Sequence, residues 1–168
     1  MSAAYYDFYA EEGSSFVIKI NMLDKYSQQI CLFKGAESDT PPVYMDIPAE
    51  LAAINYAKIF KIVGTMTVRP ALVGASSTAD QLQFKGDSSN SVFSGTVGQL
   101  IFKRKGDDHN LVIYYPNIEI NPGTYFYDFE MEYTEGILNG TSVIEKQNGR
   151  KNTLRVLQGR FIIIPKVK

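Results

Sequence analysis

The stretch that most constrains the fold is the C-terminal third, Pro122 to Lys168, where a long alternating run, a polar turn region and a long apolar run follow one another. Tyr125, Tyr127, Phe129, Met131 and Tyr133 occupy every second position, with Phe126, Asp128, Glu130 and Glu132 between them. Side chains alternate across a strand, so this spacing puts the aromatic and apolar set on one face and the acids on the other. Aromatics also suit the pleated, half-buried surface of a sheet. Pro122-Gly123 supplies a turn before the run. From Gly123 to Tyr133 such a strand reaches roughly 35 Å, at about 3.3 Å per residue.

The return strand opens near Lys151. Leu154 and Val156 alternate with Thr153 and Arg155, and then the apolar parity shifts to Leu157, Gly159, Phe161 and Ile163. A shift of one residue flips the face, so a bulge is expected between Val156 and Gly159, with Gly159 a suitable place for it. The run Phe161-Ile162-Ile163-Ile164 is apolar on both parities. An uncovered apolar edge invites aggregation. The run is therefore expected to be covered, either within its own chain or by another subunit. Between the strands lie Asn139-Gly140 and Asn148-Gly149, both of which favour tight turns. Val143 to Lys146 reads as an extended continuation, and the sequence leaves open which turn closes the principal hairpin.

The order "PGTYFYDFEMEY" followed by "GRKNTLRVLQGRFIIIPKV" resembles the closing hairpin of small β-sandwich modules in tailed-phage structural proteins. It is similar in particular to the N-terminal module of baseplate upper proteins. The matching positions are Pro122, Gly123, Tyr125, Tyr127, Asp128, Leu154, Leu157, Gly159, Phe161, Ile163, Pro165 and Val167. The resemblance covers residues 122–168, and residues 36–58 have no counterpart in it. It implies a non-enzymatic structural subunit of a virion, in the tail, baseplate, neck or fibre-attachment region. Its implied partners are copies of itself and other virion structural proteins.

At 168 residues the chain has the length of a single domain. A net charge of −1 argues against a protein that coats nucleic acid, which carries a basic excess. Cys31 is the only cysteine, so no intramolecular disulfide forms, and its apolar neighbours Ile30, Leu32 and Phe33 fit a buried, inert thiol. No charged-then-apolar leader and no bilayer-length apolar run is seen, so synthesis in a host cytoplasm, without membrane association, is expected. Eleven Tyr, ten Phe, 13 Gly and no Trp fit an all-β chain.

Taken in order, residues 1–15 read as an N-terminal arm bearing Tyr5, Tyr6, Phe8 and Tyr9. Four clustered aromatics need a surface to bury on, either that of their own domain or that of a neighbouring subunit. Strands are expected at Phe16–Met22, Ile30–Lys34, Ile59–Arg69 and Gln81–Lys85. Residues 99–115 form a second hairpin from Gln99–Lys103 and Leu111–Tyr115. Asp24–Gln29 reads as a turn, and residues 73–80 and 86–98 as Ser/Gly-rich loops. Ile47–Lys58 is the one helical candidate, with Pro48 in the first turn, Glu50 near its start and Ala49, Ala52, Ala53 and Ala57 within. The expected architecture is an all-β, Ig-like or jelly-roll-like antiparallel sandwich over residues 16–168, with one short helix.

No pattern of residues defines catalysis, and no catalytic, cofactor or metal residue is assigned. His109, beside Asp107 and Asp108, reads as a solvated turn histidine, since a Ser-His-Asp arrangement needs partners that spacing does not supply. Asp107 and Asp108 with Asp87 or Asn90 have no calcium-loop register. Asp128, Glu130 and Glu132 sit about 7 Å apart along one strand face. That separation permits glycosidase chemistry in a cleft, but the simpler role is a salt-bridged sheet face partnered by Arg155 and Arg160. Lys103-Arg104-Lys105 reads as a solvated hairpin tip. The contacts expected to drive self-assembly are Tyr5, Tyr6, Phe8, Tyr9, Phe161, Ile162, Ile163 and Ile164, through pairing along a sheet edge. Removing residues 1–13 is expected to leave the fold intact and lower the oligomer order. The alternative is a glycan-binding or adhesin module stacking sugars on Tyr44, Tyr114 or Tyr115.

Overall fold

The computed structural model describes residues 3–35, 40, 42–48, 51, 58–70, 81–88, 98–103 and 108–167. Among these it contains ten strands: β1 (Ala4–Tyr5), β2 (Phe8–Glu11), β3 (Phe16–Ile20), β4 (Lys58–Pro70), β5 (Leu82–Asp87), β6 (Gly98–Phe102), β7 (Leu111–Tyr115), β8 (Gly123–Asn139), β9 (Ser142–Glu145) and β10 (Lys151–Ile164). The all-β class expected from the sequence holds. The layering differs, because all ten strands belong to one sheet rather than two. Its order is β1-β10-β8-β4-β5-β6-β7-β3, with β2 also beside β10 and β9 beside β8. Nor is it wholly antiparallel: β1 and β2 pair in parallel with β10, and β5 pairs in parallel with β6.

The sheet curls on itself, and its inner face is the core. Phe16 comes from one edge strand, Phe84 from mid-sheet, and Phe8 and Phe161 from the other edge. Yet the Phe16 ring lies 5.0 Å from Phe161, 5.9 Å from Phe8 and 6.4 Å from Phe84. The chain passes between the two edges at residues 12–15, where Gly13 N donates to Ile118 O and Ile118 N donates to Ser14 O. Gly13 adopts φ 77°, a left-handed conformation that glycine tolerates best.

The central hairpin is β8 with β10, as the period-two pattern requires. Tyr125, Tyr127, Phe129, Met131 and Tyr133 all point into the core. The register shifts between Arg155 and Leu157, so the bulge is at Val156. Gly159 plays a different part. A Cβ there would run into the Tyr6 carbonyl oxygen, so glycine lets the N-terminal segment approach β10. The chain turns twice between the long strands. β8 runs on to Asn139 and folds back as β9. A second turn through Asn148, at φ 59°, then returns it to β10.

One local expectation is corrected. Ile30–Lys34 is not a strand, because its backbone groups go to scattered partners. Ile30 N donates to Met22 O, Cys31 N to Asp46 Oδ2, and Lys34 N to Ser88 O. No continuous ladder can form from bonds distributed in this way. No α-helix occurs among the described residues. Most of the expected helix over 47–58 lies outside them; Leu51 N donates to Pro48 O, and Lys58 already begins β4. The Ser/Gly-rich loop 73–80, most of the loop 86–98 and residues 104–107 also lie outside the described residues.

The irregular segment over residues 21–34 is fastened by a buried amide. Asn110, fully buried, accepts from Met22 N at 2.8 Å and donates to Met22 O and Ile30 O at 2.9 Å each. Buried Cys31 and Leu32 follow directly, so the amide positions apolar side chains that no strand holds.

Candidate functional site

The N-terminal segment and the central hairpin together build one outer face of the sheet. The register sets Tyr5 beside Gln158, Tyr9 beside Ile162 and Glu11 beside Ile164. On the other side of β10, Arg160 lies beside Phe126 and Ile162 beside Thr124. Partnered residues share a face. The outer face therefore carries Tyr5, Tyr9, Phe126 and Ile164, which are 63%, 59%, 48% and 45% exposed, together with half-buried Ile162.

The eight residues expected to make contacts thus divide. Phe8, Phe161 and Ile163 lie in the core of their own chain, and Phe8 packs 4.9 Å from the Tyr127 ring. Tyr5, Tyr9, Ile162 and Ile164 face outward. Tyr6 is half exposed, and its ring leans on Phe8 at 5.1 Å. Phe126 joins them although the sequence reading did not single it out; its signal was an aromatic residue on the acidic parity of β8.

A polar clamp holds this arrangement in register. Tyr6 N donates to Gln158 O at 3.0 Å, and the buried Tyr127 hydroxyl donates to Tyr6 O. Burial, with Asp7 nearby, pushes the Tyr127 phenol pKa well above its ordinary value, so the hydroxyl stays a donor. Asp7 accepts from Arg160 N at 2.9 Å and from the Arg160 guanidinium at 2.8 and 3.2 Å. Those hydrogen bonds hold the Asp7 carboxyl below its ordinary pKa. Arg160 is thus committed to the N-terminal segment rather than to the acid stripe. Arg155 faces the stripe, 3.8 Å from both Asp128 and Glu130. Those acids stand on an open sheet face, as solvated cross-strand partners.

A second clamp stands at the far end of β8. Buried Glu135 accepts from Arg150 N at 3.0 Å and from Lys146 Nζ at 2.8 Å, tying together both ends of the second turn. The Arg150 N–H, and then Lys146, lower its carboxyl pKa from the ordinary 4.5. A carboxyl depressed on folding stabilises the fold above its unfolded pKa and loses that contribution as pH falls through the folded value. Glu135→Gln should therefore be less stable at neutral pH and show a flatter decline below pH 4.5 than the parent chain. Urea melts across an acid pH series check this; parallel curves would show that Glu135 does not set the acid limb.

The other candidates do not converge. His109 is partly buried in a turn. Among the described residues no group of three or more His, Cys, Asp or Glu is placed to hold a metal. Tyr44 has the Lys58 ammonium 4.7 Å from its ring centre and donates its hydroxyl to Thr141 O at 3.2 Å. Tyr115 packs edge-on against Phe84 at 5.4 Å. Both rings are already engaged. No protein-family model matches the chain, and no curated protein or solved structure matches it.

Proposed function

We propose that the chain is a non-enzymatic structural subunit of a tailed-phage virion, in the tail, baseplate, neck or fibre-attachment region, acting through symmetric self-assembly and contacts with other virion proteins. One observation carries the reading. Exposed Tyr5 and Tyr9 of the N-terminal segment share one outer face with exposed Phe126 and Ile164 of the β8–β10 hairpin, the hairpin whose sequence resembles the phage modules. Contiguous exposed aromatic and aliphatic side chains favour protein contacts, and Tyr is enriched in such interfaces. The charged pair Asp7–Arg160 within the row gives it a polar component that suits an interface formed after folding.

Light scattering of the purified chain over a concentration series tests this. A constant trimer, pentamer or hexamer mass is the expected result. Ile164→Lys places a charge at an outward position and should lower that mass while leaving the circular dichroism unchanged. A wild-type chain that stays monomeric at every concentration would overturn the proposal. Glycan binding by such a monomer would favour the adhesin reading.

A further inference from the structure

Two Asn-Gly dipeptides sit in exposed turns of this chain, and the structure treats them differently. Asn139-Gly140 lies at the tip of the β8–β9 hairpin, where Asn139 pairs with Ser142 and Gly140-Thr141 form the two-residue loop. Gly140 has φ 66°, and nothing lies within 4 Å of where its Cβ would be. Its backbone N–H makes no hydrogen bond to the described residues. Asn148-Gly149 is closed instead: Gly149 N donates to Lys146 O at 2.9 Å. That turn is further bracketed by Glu135, which binds both Lys146 and Arg150.

We infer that Asn139 is a site of spontaneous deamidation, and that Asn148 is protected by its turn. The backbone nitrogen of Gly140 attacks the side-chain carbonyl carbon of Asn139. A C–N bond forms to the ring nitrogen, the bond to the amide nitrogen breaks, and the nitrogen's proton leaves with it as ammonia. The resulting five-membered cyclic imide adds one water. Opening at one carbonyl gives aspartate, and opening at the other gives isoaspartate, with the backbone routed through the side chain. No electrons are transferred. Glycine matters because it offers no side chain to hinder the approach, and a free nitrogen matters because a bonded one must first lose its partner.

The attack requires Asn139 to leave its extended conformation. Asn139↔Ser142 is the last of four β8–β9 pairs, so fraying one terminal pair suffices. At Asn148 the Gly149–Lys146 bond must open as well. A net cost of about 1.4 kcal/mol for such a bond corresponds to about a tenfold slower reaction. Each conversion adds one negative charge. Isoaspartate also lengthens the backbone at the hairpin end, where the Ser142 hydroxyl donates to Asn139 O and the Tyr44 hydroxyl to Thr141 O. The hairpin should therefore loosen from the segment that carries Tyr44.

The full-length chain is aged in mildly alkaline buffer, separated by charge, and mapped by peptide mass spectrometry with isoaspartate detection. The expected result is an acidic species that maps to Asn139, with Asn148 converting about tenfold more slowly. In denaturant the two sites should convert at similar rates. Asn139→Gln, which must form a larger ring, should remove the main acidic species from the folded chain. Asn148 converting as fast as Asn139 in the folded chain would overturn the assignment. So would a folded chain that stays unmodified at Asn139 while the denatured chain converts.

Discussion

Phe8→Ala is expected to destabilise the chain by about 3–5 kcal/mol, the usual cost of truncating a buried aromatic to alanine. Phe8 is fully buried, and its ring meets those of Tyr6, Phe16, Tyr127 and Phe161. These neighbours come from both edges of the curled sheet, so the cavity opens where the edges approach each other. Ala10, the other inward side chain of β2, is too small to fill it. Removing residues 1–13 deletes the same ring together with β1, β2 and the Asp7–Arg160 clamp, and should cost at least as much. The structure thus changes the expectation that this segment can be cut without harm to the fold. Val17→Ala is the control: Val17 is 50% exposed on β3, away from the outer row of Tyr5, Tyr9, Phe126 and Ile164, and its loss should fall within about 0.5 kcal/mol. Equilibrium urea unfolding of the three chains decides the matter. Equal midpoints for Phe8→Ala and Val17→Ala would mean that β2 does not contribute to the core.

Much of this was legible in the sequence because it repeats with period two. The β8 alternation, the return strand and its bulge all follow from local parity, whereas the 99–115 hairpin follows from two short apolar runs around a polar turn. The same parity held information on the contact surface. Phe161 and Ile163 share the parity of Gly159 and point inward, whereas Ile162 and Ile164 alternate with them and point outward. Phe126 was equally readable, as an aromatic residue among acids. The partner of the N-terminal segment was not. Parallel pairing of Phe8–Glu11 with Phe161–Ile164 joins opposite ends of the chain, and no local pattern encodes it. Its one trace was Gly159, a glycine at a core-facing position, read as a bulge rather than as room for a crossing backbone. Ile30–Lys34 misled for the opposite reason. Its composition is that of a strand, but its backbone groups find different, distant partners.

Asn110→Ala is the second substitution with a large expected effect, about 3–5 kcal/mol. Asn110 sits in a polar turn, where asparagine is ordinarily a surface residue whose loss is nearly neutral. Here its side chain is fully buried and satisfies three backbone groups, Met22 N, Met22 O and Ile30 O, which lie 88 and 80 residues away in sequence. Alanine removes all three bonds; Met22 O keeps the Ile30 N–H, whereas Met22 N and Ile30 O lose their partner, and each buried group left unpaired costs about 1–3 kcal/mol. Some of that is recovered if residues 21–34 pull away and let water in, but burial of Cys31 and Leu32 is then lost. Either response damages the same segment. Asn117→Ala removes an exposed amide bonded to Glu119 and should stay within about 0.5 kcal/mol. Hydrogen exchange adds the local readout: the Met22 amide should lose protection in Asn110→Ala while β8 and β10 amides keep theirs relative to the new global stability. A variant that stays within about 1 kcal/mol of the parent, with Met22 still protected, would show that the irregular segment is held by its apolar contacts rather than by this amide.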